Sequence, residues 1–181
     1  MTSEQTQVFS ELIGSLPPRT VGLISDTHIP TRAKRLPKEI FRIFKGVEFV
    51  VHAGDLVDLY VVDELEQIAP VLAVHGNMDT PETREKLPEM NSFKLFGWKI
   101  GVIHDPDILF GVKRMHTIAR ENQFNVLVYG HTHSAHLKWD GGVLFVNPGS
   151  PTNPVPPFIV KPSVALLKIT EEKIVPGIIQ I

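Results

Sequence analysis

Hydrophobic and polar positions along this chain switch repeatedly between a strand period and a helix period. Thr20 to Ser25 (TVGLIS) is a β-branched, apolar run that stops at Asp26, as a buried strand does. Pro37 to Lys45 follows, with Ile40, Ile43 and Phe44 at helical spacing and proline where a first helical turn tolerates it. Val47 to His52 reads as a second buried strand running into Gly54-Asp55, and Val61 to Ile68 as a short amphipathic helix. Val71 to Val74 makes a third strand that ends near Gly76-Asn77. Thr80-Pro81 then has the form of a helix N-cap followed by proline at the first helical position.

The second half keeps the alternation and ends in strands. Phe93 to Phe96 and Lys99 to Ile103 flank Gly97-Trp98, which predicts a hairpin with a two-residue turn whose second arm ends at His104. Gly111 to Gln123 carries Val112, Met115, Ile118 and Ala119 on one stripe and predicts a helix. Val126 to Tyr129 is a strand running into Gly130-His131. Four more strands are expected at Ala135 to Trp139, Val143 to Val146, Ser163 to Ile169 and Lys173 to Ile181, the first two joined by a turn at Asp140-Gly141-Gly142. Residues 147–162 hold six prolines, and only 19 residues follow them. That is too few for a second domain, so the segment reads as a rigid loop over one rim.

Composition narrows the class. The chain has 181 residues, 43% of them hydrophobic, which excludes disorder and suits one domain over residues 20–181 behind an extension at 1–19. A net charge of −2, from 18 basic and 20 acidic residues, excludes a highly basic nucleic-acid binder. No secretory signal and no apolar run of membrane-spanning length is visible, so the expectation is a soluble, cytoplasmic protein without a membrane partner. Cysteine is absent, and any metal site has to use nitrogen and oxygen ligands.

The strand ends carry the chemistry. Asp26, Asp55, Asn77, His104 and His131 are separated by 29, 22, 27 and 27 residues. One β-α-β unit takes about 30 residues, so each successive strand ends in a polar side chain, and such ends gather on one side of an α/β sheet. His28 and His133 lie two residues after Asp26 and His131, which places each pair on one side of an extended chain. Two Asp, four His and one Asn suit Mn, Fe, Zn, Ni or Co. Seven ligands exceed the need of one such ion, but supply four to each of two if one carboxylate bridges. Gly54, Gly76 and Gly130 each precede one of these residues, where backbone has to turn sharply and approach a crowded site. Singly, Asp26-Thr27-His28, Gly54-Asp55 and Gly76-Asn77 have ordinary structural readings. Their order, one per strand end, is what points to a site. His52 and His75 read as packed or supporting residues, and His116 as a surface or packing residue. Arg32, Lys34 and Arg35 read as a solvated loop, with attraction of phosphate as the alternative. His136 falls after the ligand pair, with substrate contact as its minor reading.

Asp26-Thr27-His28, Gly54-Asp55, Gly76-Asn77-Met78-Asp79, His104 and Gly130-His131-Thr132-His133 resemble the calcineurin-like metallophosphoesterase superfamily, in its small single-domain bacterial and archaeal phosphodiesterase branch. The resemblance spans roughly residues 20–181 and includes Asn147-Pro148-Gly149-Ser150. It implies a four-layer αββα sandwich of two mixed β-sheets flanked by helices. It also implies two divalent transition-metal ions, manganese first, with nickel, iron, cobalt or zinc as alternatives. By motif, Asp26, His28, Asp55 and His133 would hold one ion, and Asp55, Asn77, His104 and His131 the other, with Asp55 bridging and Asn77 also near a phosphate oxygen. The implied activity is hydrolysis of a small phosphodiester substrate, with a metal-bridging hydroxide as nucleophile. A phosphomonoesterase of the same fold is the nearest alternative. A protein-binding scaffold like the eukaryotic retromer subunit is the alternative of a different class. The late strands leave room for a homo-oligomer. Two departures stand out: Asp105-Pro106 follows His104 where the family commonly has Gly, and Met78 stands where many relatives carry a histidine proposed to protonate the leaving group.

Overall fold

The computed structural model describes residues 17–106, 112–152 and 161–181. Most of the expected 1–19 extension, Gly111, and residues 153–160 of the proline-rich loop lie outside that set. Among the described residues ten strands form two five-stranded mixed sheets. In the first, β1 (Arg19–Ile24), β2 (Phe49–Ala53) and β3 (Val71–Val74) run parallel. The sheet continues from β1 through antiparallel β9 (Ser163–Ile169) and β10 (Ile174–Gln180). In the second, β5 (Trp98–Ile103), β6 (Val126–Val128) and β8 (Val143–Asn147) run parallel. Antiparallel β4 (Met90–Leu95) and β7 (His136–Asp140) close its edges.

The strand period explains the layering. Val21, Leu23, Val51, Ala53 and Val74 point from the first sheet into a seam filled from the second by Ile100, Val102, Val126, Val128, Leu144 and Val146. The alternate residues Ile24, Val50 and Ala73 face outward. They pack on Ile40 of α1 (Lys38–Ile43) and on Val61 and Leu65 of α2 (Tyr60–Glu66). On the far side Leu127, Tyr129 and Phe145 pack on Met115, Ile118 and Ala119 of α4 (Val112–Glu121). This is the four-layer αββα sandwich that the resemblance implied. The short α3 (Pro81–Lys86) starts where Thr80-Pro81 indicated, with the Thr83 N–H donating to Thr80 Oγ1 at 3.2 Å.

One turn differs from its sequence reading. Leu95 pairs with Trp98, so the hairpin turns on Phe96-Gly97 rather than Gly97-Trp98. Both turn residues have positive φ, 50° and 84°, the pattern of a type I′ turn that matches strand twist. Phe96 thus adopts a backbone conformation its type rarely takes, which its identity does not disclose.

Close packing of Phe124, just past the end of α4, on the second sheet depends on Gly101. A Cβ there would lie 2.2 Å from Phe124 Cε2, whereas a Cβ at Gly177 would meet nothing within 4 Å. Gly101→Ala is therefore expected to destabilise the protein by ~1–3 kcal/mol through overpacking. Gly177→Ala should change stability by less than ~0.5 kcal/mol. Urea unfolding of both variants measures the difference.

Candidate metal centre

The parallel strands β1, β2, β3, β5 and β6 end on one side of the seam, and their loops bring together the polar residues read from the sequence. Backbone bonds tie neighbouring loops within each sheet: Asp26 N–H to the Gly54 carbonyl at 3.0 Å, His28 N–H to that of Asp55 at 3.0 Å, and Gly130 N–H to that of His104 at 2.9 Å. Asp26, His28, Asp55, His131 and His133 all have positive φ, between 46° and 69°. Such backbone is uncommon outside glycine and concentrates at functional sites, so five instances in one cluster are informative.

At one end, His28 Nε2 and His133 Nε2 face each other at 3.1 Å with their rings stacked. Asp26 Oδ1 lies 3.4 Å from His133 Nε2, and Asp55 Oδ2 lies 3.7 Å from His28 Nε2. At the other end, His104 Nε2 lies 3.3 Å from Asp55 Oδ2 and 3.1 Å from Asn77 Oδ1. His131 Nδ1 is 3.1 Å from the same Asn77 oxygen. Ligand atoms of Asp26, His28 and His133, and of Asp26, Asp55 and His104, lie within 4.8 Å of one another. All seven sequence-derived residues thus join one chain of contacts. Asp55 Oδ2 sits between His28 and His104, and Asp26 belongs to both compact groups.

These donors fit divalent cations. Asp26 is fully buried, yet its Oδ2 has no hydrogen-bond partner. Glycine leaves space where a side chain would intrude, since a Cβ at Gly76 would lie 2.2 Å from Asp55 Oδ1 and one at Gly130 2.8 Å from Asp26 Oδ2. The His104 Nδ1–H donates to the Ala53 carbonyl at 2.9 Å, which turns Nε2 toward Asp55 and Asn77.

Charge in the site is divided by environment. Burial pushes the Asp26 carboxyl up, against the pull of His104 and His133. Burial is the largest influence on Asp55 and acts to raise it, but the bond and charge of His104, the Met78 N–H and His28 together outweigh burial and hold it below the ordinary carboxylate value. Burial alone would keep His104 neutral; its bond to Asp55 and the charge of Asp26 instead raise it to about 9. His28 has burial dominant over Asp55 and falls to about 4. Every neighbour of the His104 nitrogens is an acceptor, so the proton on Nε2 occupies the place a cation would take.

Several supporting residues carried no role in the sequence reading. Asp79 is buried, and its carboxylate accepts backbone N–H groups from Asp55 at 3.2 Å, Gly76 at 2.6 Å and Val57. The Met78 N–H donates to Asp55 Oδ1 at 2.7 Å, while the Met78 side chain is exposed. Asn147 Nδ2 donates to the Gly130 carbonyl at 2.7 Å. The Ser150 hydroxyl donates to the Asp26 carbonyl at 2.7 Å, and that of Thr152 to the Thr27 carbonyl at 2.6 Å. The start of the proline-rich loop thereby clamps the two loops that bear Asp26 and His133. The carboxylate in Gly76-Asn77-Met78-Asp79 was the one available signal for Asp79.

The remaining histidines do not enter the cluster. His52 is fully buried and paired with Thr27 Oγ1 at 3.1 Å, and burial lowers it to about 3. His116 packs edge-on against Phe145, and His136 Nδ1 meets the Tyr129 hydroxyl at 2.7 Å. Arg32, Lys34 and Arg35 are exposed. Asp105 Oδ2 lies 3.7 Å from His131 Nε2.

Known proteins agree with this geometry. The structure of vacuolar protein sorting 29 from Cryptosporidium parvum superposes with a TM-score of 0.81 at 26% identity, over 91% of this chain and 92% of that one. A probable metallophosphoesterase of Methanothermobacter thermautotrophicus is 38% identical over 155 residues, covering 85% of this chain and 88% of the relative. A phosphodiesterase of Methanocaldococcus jannaschii is 33% identical over 138 residues, covering 71% and 82%. Residues 20–172 match the calcineurin-like phosphoesterase superfamily domain, and this chain belongs to that superfamily.

Proposed function

We propose that this protein is a metal-dependent phosphodiesterase that uses two divalent transition-metal ions, with manganese the first choice. The observation that carries the reading is the position of Asp55 Oδ2, 3.7 Å from His28 Nε2 and 3.3 Å from His104 Nε2, with donor groups on either side. Asp26, His28, Asp55 and His133 would hold one ion, and Asp55, Asn77, His104 and His131 the other. When bound, the ions supply Lewis acidity toward a phosphoryl oxygen and toward the attacking water. Two carboxylates against two dications leave the site positive, which suits a phosphate ester. The Asp79 cradle and the Asn147 clamp keep the donor loops from relaxing, so little reorganisation is needed when substrate arrives. Among the described residues no serine–histidine pair lies in the cluster, and the chain has no cysteine, in keeping with direct hydrolysis. A cytoplasmic location belongs to the same proposal. Among the described residues no helix is long and apolar enough to cross a membrane.

Three measurements test the reading. Elemental analysis of the reconstituted wild type should give two ions per chain. Asp55→Ala should lose both ions or nearly all activity, and His133→Ala should mainly weaken one site. One ion or none in fully reconstituted wild type would count against the proposal.

Proton linkage gives a second check. In the metal-free protein at neutral pH His104 is protonated, being raised to about 9, and His28 is neutral, being lowered to about 4. Loading must expel the His104 proton, so apparent affinity should climb by up to tenfold per pH unit until it levels off near about 9. Acidification should reverse it. Calorimetric titration in buffers of different ionisation enthalpy measures the proton released, and prolonged chelation should abolish turnover.

Met78 supplies the third. A positioned proton donor is worth ~10²–10⁴-fold, most of all for basic leaving oxygens. With methionine at this position, rates for a series of diesters should fall steeply as leaving-group pKa rises. Met78→His should flatten the slope if the new imidazole reaches the leaving oxygen. A flat slope in the parent would show that another group donates the proton.

A further inference from the structure

The loop between β3 and α3 is held from two sides. On one side its N–H groups meet the turn after β2: Met78 N–H donates to Asp55 Oδ1 at 2.7 Å, and Thr80 N–H to the Val57 carbonyl at 3.2 Å. On the other, two of its carbonyls meet a single side chain of α3. Arg84 Nε donates to the Asp79 carbonyl at 3.0 Å, and its Nη2 to the Asn77 carbonyl. The peptide between Asn77 and Met78 is thus bonded at both ends, its carbonyl to Arg84 and its N–H to Asp55. Arg84 is otherwise exposed and lies outside the donor set, so the cluster itself does not require an arginine there.

We propose that Arg84 is a positioning residue of the metal centre, which fixes the plane of the 77–78 peptide and through it the side chains of Asn77 and Asp55. This rests on the two-ion reading of the site. With Oδ1 taken by the Met78 N–H, Asp55 presents Oδ2, 3.3 Å from His104 Nε2 and 3.7 Å from His28 Nε2. The same peptide fixes the backbone torsion beside the Asn77 side chain, whose Oδ1 lies 3.1 Å from both His104 Nε2 and His131 Nδ1. A planar guanidinium suits the task because its fork serves two carbonyls at once, whereas an ammonium is a point charge on a flexible stem. A cationic donor on the carbonyl also polarises the peptide and strengthens the N–H bond at its far end. Charge and position act in opposite directions here. As a charge alone, Arg84 repels a dication, so its removal would tighten metal binding. As a positioning group, its removal weakens binding.

The test titrates metal-free protein with Mn²⁺ by calorimetry. Arg84→Gln should weaken at least one of the two binding steps by roughly 10–100-fold, the scale of a lost supporting partner. Arg84→Lys keeps the charge without the fork and should stay weakened. Lys86→Gln makes the same charge change on the same helix, at an exposed residue paired with Glu82, and should leave both steps unchanged. A second readout needs no metal. In metal-free Arg84→Gln the Met78 amide resonance should move upfield and lose exchange protection. The Gly76 and Asp55 amides, held by the Asp79 carboxylate, should keep theirs, whereas general loosening of the loop would move all three. Equal or tighter Mn²⁺ binding by Arg84→Gln, an unmoved Met78 amide, or equal movement of all three overturns the assignment. If the wild type binds fewer than two Mn²⁺ while the Met78 amide responds as expected, the two-ion reading falls and the control of Asp55 by Arg84 stands.

Discussion

Asp26 and Asp55 are buried where the two sheets meet, 0% and 2% exposed, and the structure around them is arranged to meet their charge. An uncompensated buried carboxylate costs several kcal/mol. Here the compensation comes from imidazoles on three different loops and from backbone N–H groups of His131 and Met78. The donors come from the ends of β1 and β3 in one sheet and of β5 and β6 in the other, so the site requires both sheets to be assembled. The apolar seam of Val21, Leu23, Val51, Val102 and Val128 brings those strand ends together. Packing and charge are therefore coupled: the seam gathers the loops, and the loops bury the two carboxylates.

The arrangement concentrates strain at its centre. Five residues of the cluster hold left-handed backbone, a conformation that costs of order 1–3 kcal/mol each outside glycine. It persists because the loops are fixed from outside the cluster. Asp79 joins the turns after β2 and β3, while Asn147, Ser150 and Thr152 tie down the loops after β6 and β1. These clamps touch none of the reacting groups, yet they set the direction in which Asp55 and His133 point. The same sandwich in vacuolar protein sorting 29 shows the architecture itself to be widely shared. Chemistry belongs to the side chains on the rim.

Much of this was legible in the chain because a parallel βα unit has a nearly fixed length. Strand boundaries came within two residues except at the start of β4, which begins at Met90 rather than Phe93, and spacings of 22 to 29 residues placed Asp26, Asp55, Asn77, His104 and His131 on one rim. The four layers followed once the family resemblance was recognised. The Phe96-Gly97 turn was missed by one position, because φ at Phe96 is set by strand twist and register rather than by the residue's own preference.

Asp79 and Asn147 stand in motifs that carry the resemblance, but what they do was not legible because their partners are backbone groups, which every residue carries alike. Nothing in one dimension says that Asp79 meets Asp55 and Val57, 24 and 22 residues away. The histidines show the same division. The sequence by itself determined which residue types stand at the strand ends, and so a nitrogen and oxygen donor set. Only the tertiary structure decided that His28 is held neutral near about 4 while His104 is raised to about 9. The two side chains are chemically identical. They differ in how burial competes with the carboxylates, and that balance exists only after both sheets have closed over Asp26 and Asp55.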